Sequence, residues 1–315
     1  MKILNTFGKN FGLEAKTMLD TFGEVDYQEM THNELLEVID QYDIIVVGIL
    51  PMIDKEAMDK AKKIKYIVIP SNTLENIEVE YAESKGIKVL SLWEEKDFLN
   101  TITGTAELAC GLMIDIVRAT PWSFDHVKNY KWEREKFRGH NLYGKTLGIV
   151  GMGRLENWMA KFGKAFGMNI IFYDPYVEKS SVPDCKKIEF LELLNKSDII
   201  SIHAHLNKET EEMFNKDAFK KMKDGVYLIN TARGKIVDEV ELLNALQEKK
   251  IAGYATDVLA EEFYFDDTGL RNYPLIEYAK EHQNIIITPH IGGMTIESRE
   301  RTDIFIVEKL RKELN

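Results

Sequence analysis

The sequence predicts an α/β protein made of two successive series of strands and helices, each series forming a parallel sheet with covering helices. Three observations carry this reading. Short runs rich in Ile and Val alternate with amphipathic stretches of good helix formers, the pattern of strand–helix–strand crossovers. Some of these runs, such as Ile44-Ile45-Val46-Val47, are apolar without interruption, as a sheet buried on both faces requires. A second alternating series begins mid-chain at Thr146-Leu147-Gly148-Ile149-Val150, so the 315 residues suit two domains of ordinary size.

In chain order, the first series places strands at residues 2–6, 25–28, 44–48, 66–69 and 88–91. Helical spacing falls between them at 33–39, 55–63 and 79–85, where the run Lys60-Ala61-Lys62-Lys63 reads as a solvated helix face. A long apolar helix follows at 105–119 and is expected to stop at Pro121, whose ring and missing N–H end a helix. After a polar, aromatic stretch from Trp122 to Tyr143, the second series has strands at 146–150, 169–173, 199–203, 226–230, 252–256 and 284–288. A last helix runs from Ile296 to about Leu314.

Composition excludes several classes. Asp and Glu outnumber Lys and Arg by 52 to 41, a net charge of −11, which disfavours a nucleic-acid partner. The two cysteines, Cys110 and Cys185, are too few for a disulfide framework and lack the closely spaced partners of a zinc site. No stretch approaches the ~20 apolar residues of a membrane span, and the N-terminus lacks a signal-peptide core, so a cytoplasmic location is expected.

The strand 146–150 runs into Gly151-Met152-Gly153-Arg154-Leu155-Glu156, a glycine turn opening a helix. In the dinucleotide fingerprint the first glycine makes the tight turn and the second admits the pyrophosphate to backbone N–H groups. The third lets helix and strand pack closely. Here that third position is Glu156, which is expected to push the helix away and to set a negative charge against the phosphates. The next strand ends in Asp174-Pro175, 21 residues after Gly153, where a carboxylate suits the ribose hydroxyls of NAD and repels the 2′-phosphate of NADP. A plain turn before proline is the alternative role for Asp174.

Three more segments sit at the carboxyl ends of expected strands, where open parallel sheets place ligands. They are Asn230-Thr231-Ala232-Arg233-Gly234, Asp257-Val258-Leu259-Ala260-Glu261-Glu262 and Thr288-Pro289-His290-Ile291-Gly292-Gly293. Redox chemistry on a 2-hydroxy acid needs a guanidinium for the carboxylate, an imidazole for the hydroxyl proton, and a carboxylate to orient the imidazole. Arg233, His290 and Glu262 are the right types, although each alone also suits a surface ion pair, a capped loop or a solvated acid.

Together with Gly151-x-Gly153 and Tyr173-Asp174-Pro175, these segments resemble the D-isomer-specific 2-hydroxyacid dehydrogenase family over roughly residues 100–300. The resemblance implies two doubly wound (Rossmann-like or flavodoxin-like) domains with a cleft between them. Residues 1–100 and 291–315 would form the substrate domain, and residues 101–290 the dinucleotide-binding domain. It implies that Arg233 binds substrate, His290 is the acid/base and Glu262 its partner. Gly151, Gly153, Arg154, Leu155, Asp174, Pro175, His203, Ala204, Thr210, Thr231, Ala232, Asp257 and Gly293 would contact NAD, with Asp257 at the nicotinamide carboxamide. Ser71, Asn72 and Thr73 would contact a small 2-hydroxy or 2-keto acid, in a loop (residues 70–77) where relatives usually have a glycine-rich stretch. A homodimer formed through residues 105–143 is implied, with no nucleic-acid or membrane partner. His203 and His205 alternate at a strand end, but no third ligand stands near them and no metal is expected. A non-catalytic NAD(H)-sensing protein on the same scaffold is the rival reading, and the intact Arg233, Glu262 and His290 argue against it.

Overall fold

Every strand pairing in the structure, a computed structural model describing residues 1–262 and 270–315, is parallel. The chain divides into two compact units, Met1–Ile102 with Met294–Asn315, and Thr103–Gly293. Each contains one sheet.

The first unit holds β1 (Lys2–Asn5), β2 (Glu24–Tyr27), β3 (Ile44–Val46), β4 (Tyr66–Val68) and β5 (Lys88–Leu90), in the order β2-β1-β3-β4-β5. Its central strands are apolar on both faces because both are covered. Leu4, Ile45 and Ile67 pack into one core with Leu35, Ile39 and Met58. Ile3, Ile44, Val46 and Val68 pack into another with Ile306, Val307 and Leu310 of the terminal helix Ile296–Leu314. The helix His32–Val38 starts on a capping box, Thr31 with Glu34. The lysine run at 60–63 is not one helix face, since the helix Lys55–Lys60 has Ala61 as its C-cap and Lys62 and Lys63 lie beyond it.

The second unit holds β6 (Thr146–Val150), β7 (Asn169–Tyr173), β8 (Cys185–Lys187), β9 (Ile199–Ile202), β10 (Val226–Asn230), β11 (Ile251–Thr256) and β12 (Ile285–Ile287). Their order is β12-β11-β10-β9-β6-β7-β8. The chain winds outward from β6 through β7 to β8, then returns to β9 on the other side of β6. The reversal between β6 and β9 is the switch point at which doubly wound sheets bind ligands. The short strand β8 escaped the sequence reading because Cys185-Lys186-Lys187 lacks the β-branched signal and lies at the sheet edge.

The helix Gly104–Arg118 buries Ala109, Leu112, Met113 and Ile116 against Leu147, Ile149, Ile229 and Ala255 of this sheet. Pro121 does not end it. The helix stops where Ala119 turns left-handed (φ 53°), and Pro121 lies in the first turn of a new helix, Thr120–Lys128. A proline there sacrifices no hydrogen bond. Cys110 and Cys185 are free thiols, and no helix among the described residues is long and apolar enough to cross a membrane.

The amino-terminal ends of the central strands are tied by Asp198. Its carboxylate accepts from the Thr146 N–H at 2.7 Å and from Lys223 Nζ at 2.9 Å, and its carbonyl accepts from Tyr227 N–H. Burial opposes its ionisation, but Lys223 and the Thr146 N–H outweigh that and hold the carboxyl below the usual range. Its contribution is therefore present above the unfolded-state value and lost as pH falls through the lower folded value. Asp198→Ala is expected to cost about 1–2 kcal/mol at neutral pH. Denaturant titration checks this. The gap from wild type should narrow as pH falls below the ordinary aspartate range.

Candidate active site

β10, β11 and β12 are neighbours in the second sheet, and the three segments singled out in the sequence leave their carboxyl ends side by side. The grouping is enforced by a buried carboxylate. Asp257, 2% exposed, follows β11, and its Oδ1 accepts from Thr288 Oγ1 at 2.6 Å and from Ile291 N–H at 2.8 Å. Its Oδ2 accepts from Gly292 N–H at 2.7 Å. Burial raises its pKa, and these donors counter the rise. The Asp257 carbonyl also accepts from His290 N–H at 3.0 Å. Asp257 therefore grips the segment 288–292 from inside and holds His290 in a left-handed conformation (φ 53°) that few residues other than glycine adopt.

So held, the half-buried His290 places Nδ1 at 2.9 Å from Glu262 Oε1. The other Glu262 oxygen accepts from Leu259 N–H at 3.3 Å, so both carboxylate oxygens are engaged. With Glu262 ionised, Nδ1 carries the shared proton and Nε2 is left to exchange one. The segment bearing Glu262 is anchored by Glu239, whose Oε1 accepts from Ala260 N–H at 2.9 Å and whose Oε2 accepts from the Tyr273 hydroxyl. Burial raises the Glu239 pKa, with Glu261 and Glu262 adding to the rise against these two donors.

Arg233 emerges from β10 in extended backbone, and Asn230 shapes its loop. The Asn230 Nδ2 donates to the Arg233 carbonyl at 3.0 Å, and its Oδ1 accepts from Ala232 N–H at 3.0 Å. The next residue, Gly234, lies so close to the neighbouring segment that a Cβ there would fall 2.1 Å from the Leu259 carbonyl carbon. The Arg233 loop and the Glu262 segment are thus packed backbone to backbone. Asn230 and Glu239 were not read as site residues from the sequence. An Asn ending a strand before a loop was the available signal for the first, and Glu239 carried none.

At the switch point, Gly151 turns at φ 98°, a conformation that favours glycine. Gly153 caps the helix Arg154–Ala165. Asp174 follows β7, and its carboxylate takes the turn role weighed for it. Its Oδ1 accepts from the Tyr176 and Val177 N–H groups as a turn residue, and its Oδ2 reaches back to Met152 N–H at 2.8 Å inside the glycine turn. The His203–Ala204 backbone lies against Gly151. Across the same end of the sheet Thr231 is buried, and its Oγ1 finds no hydrogen-bond partner among the described residues, an orphan a bound cofactor would satisfy. These features fit a dinucleotide.

Glu156 departs from expectation in an instructive way. It does not push the helix off; it is itself 8% exposed, and close approach to the sheet comes at Gly163, where a Cβ would meet Ile170 and Leu147. The other candidates are placed less tellingly. His203 Nε2 pairs with Ser201 Oγ at 2.8 Å, and burial lowers the ring pKa to about 4, so it is neutral. Thr210 closes a local turn on the His205 carbonyl at 2.6 Å. Gly293 is exposed, with nothing near a would-be Cβ. In the other unit, Ser71 follows β4, and its Oγ lies 3.1 Å from Thr73 Oγ1.

Residues 110–292 match the NAD binding domain of the D-isomer specific 2-hydroxyacid dehydrogenases. The chain is 34% identical over 291 residues to hydroxypyruvate reductase of Thermotoga maritima, covering 92% of this chain and 91% of that one. It is 35% identical over 306 residues to D-3-phosphoglycerate dehydrogenase of Methanocaldococcus jannaschii, but spans only 55% of that protein. Its structure is similar to that of D-lactate dehydrogenase from Aquifex aeolicus complexed with NAD and lactic acid, with a TM-score of 0.85 and 27% identity over 100% of this chain and 95% of that one. With its NAD-type domain, its paired parallel sheets and this breadth of likeness, the chain belongs to the D-isomer specific 2-hydroxyacid dehydrogenase family.

Proposed function

We propose that this protein is an NAD-dependent dehydrogenase that interconverts a small D-2-hydroxy acid and its 2-keto acid. The observation that carries the reading is the His290 Nδ1–Glu262 Oε1 pair at 2.9 Å, beside the strand that delivers Arg233 and on the sheet that carries the glycine turn. Bound NAD supplies the acceptor for the hydride leaving C2 in oxidation, and in its reduced form the donor for the reverse. Arg233 holds the substrate carboxylate by two parallel hydrogen bonds and fixes C2 and its oxygen. His290 Nε2 takes the hydroxyl proton in oxidation and returns it in reduction. Glu262 stabilises the imidazolium formed and keeps the ring in the productive tautomer. The oxidised substrate thus loses one hydride and one proton, each to a defined acceptor.

The relatives' names span phosphorylated and plain acids: phosphoglycerate, hydroxypyruvate and glyoxylate. The loop 70–77 contains Glu75 and neither Lys nor Arg, so we favour an unphosphorylated acid with a short side chain. A homodimer is part of the proposal. Phe124, Val127, Tyr130, Trp132 and Tyr143, in the stretch expected at the dimer interface, are all exposed.

NADH oxidation with hydroxypyruvate, glyoxylate, pyruvate and phosphohydroxypyruvate should show turnover with a plain acid. Turnover with none would contradict the activity. His290→Ala should lower kcat by about 10²–10⁴-fold. Glu262→Gln should lose less, and unchanged rates in both would remove the pair from the chemistry. Sedimentation should give twice the 36.4 kDa chain mass, and Tyr130→Glu with Trp132→Glu should halve it.

A further inference from the structure

Glu156 is the third residue of the helix Arg154–Ala165, and Gly153 is its N-cap. Its side chain turns back toward the helix start. The carboxylate lies beside the helix start, where the Gly153 N–H and its own N–H favour its ionised form. It also lies directly over the glycine turn. A Cβ on Gly153 would meet Glu156 Oε2 at 3.0 Å, and one on Gly151 would meet Oε1 at 3.2 Å. The space that two glycines leave open is therefore filled by this chain's own anion, at a helix start where a phosphate would sit.

We propose that Glu156 is a built-in competitor for the diphosphate of the dinucleotide, lying over the glycine turn of the free protein and neutralised when cofactor binds. This rests on the dinucleotide reading of the site. The groups facing the carboxylate are few. Arg154 favours its ionisation, Asp174 opposes it, and the neutral His203 behind Gly151 adds no charge. Burial dominates and raises the Glu156 pKa to about 7. A second anion arriving beside the carboxylate raises it further, so binding takes up a proton and affinity falls as pH climbs past neutrality.

The test is NADH binding by fluorescence titration between pH 6.5 and 8.5, without substrate, for the wild-type protein, Glu156→Gln and Glu156→Gly. Glutamine keeps the size but not the charge, and glycine restores the fingerprint. Both keep His290, so its contribution is common to all three. The wild-type Kd should rise about tenfold or more across this range, with both variants nearly flat and binding more tightly at pH 8.5. Equal, parallel profiles in all three proteins overturn the competitor role while leaving the cofactor reading intact. Absence of NADH binding in all three at every pH overturns both.

Discussion

The catalytic end of the second sheet hangs on the burial of one carboxylate. Asp257 is almost wholly out of water, and an unpartnered carboxylate there would cost several kcal/mol. It is satisfied by three donors, all from the segment 288–292. That requirement pulls the loop after β12 onto the end of β11 and forces His290 into its left-handed backbone. The histidine meets Glu262 as a consequence. The resemblance assigns Asp257 to the cofactor, so one group is expected both to read the nicotinamide and to bring His290 to Glu262.

The glutamate and arginine are positioned by similar means. Glu239 anchors the Glu262 segment, Asn230 shapes the Arg233 loop, and Gly234 lets the two segments touch through their backbones. The three groups thus stand on segments that leave adjacent parallel strands of one sheet, which preorganises them better than a single long loop could. At the far side of the switch point the glycine turn is equally well built, with Asp174 linking it to β7. What differs there is charge. The Glu156 carboxylate lies over the turn where a phosphate is expected.

Most of the architecture could be read from residue patterns because buried parallel strands leave an unmistakable trace. Ile44-Ile45-Val46 and Ile199-Ile200 each became the strands expected of them, and the terminal helix began and ended as its periodicity implied. Pattern failed where it was weak or contradicted by position. The edge strand of Cys185-Lys186-Lys187 has no hydrophobic signature, and Pro121 opens a helix although it was expected to close one. At the site, residue types suggested Arg233, Glu262 and His290, but spacing alone could not show convergence, which depends on strand order. Glu239 was silent because its work is done by tertiary hydrogen bonds to Ala260 and Tyr273, while Asn230 offered only the faint signal of an Asn ending a strand before a loop. The Glu156 departure and its charge against the phosphates were visible, but that it would not push the helix away was not: a side chain folding back over its own turn leaves no mark in the order of residues.

The central claim is that substrate chemistry is done between Arg233 and His290. A crystal structure of the protein with NADH and oxamate, a mimic of a 2-keto acid, tests it most directly. The account predicts the oxamate carboxylate on the Arg233 guanidinium and its amide end within hydrogen-bond reach of His290 Nε2, with the Nδ1–Glu262 contact kept. Oxamate bound away from both side chains, or His290 turned from Glu262 in the complex, would contradict it.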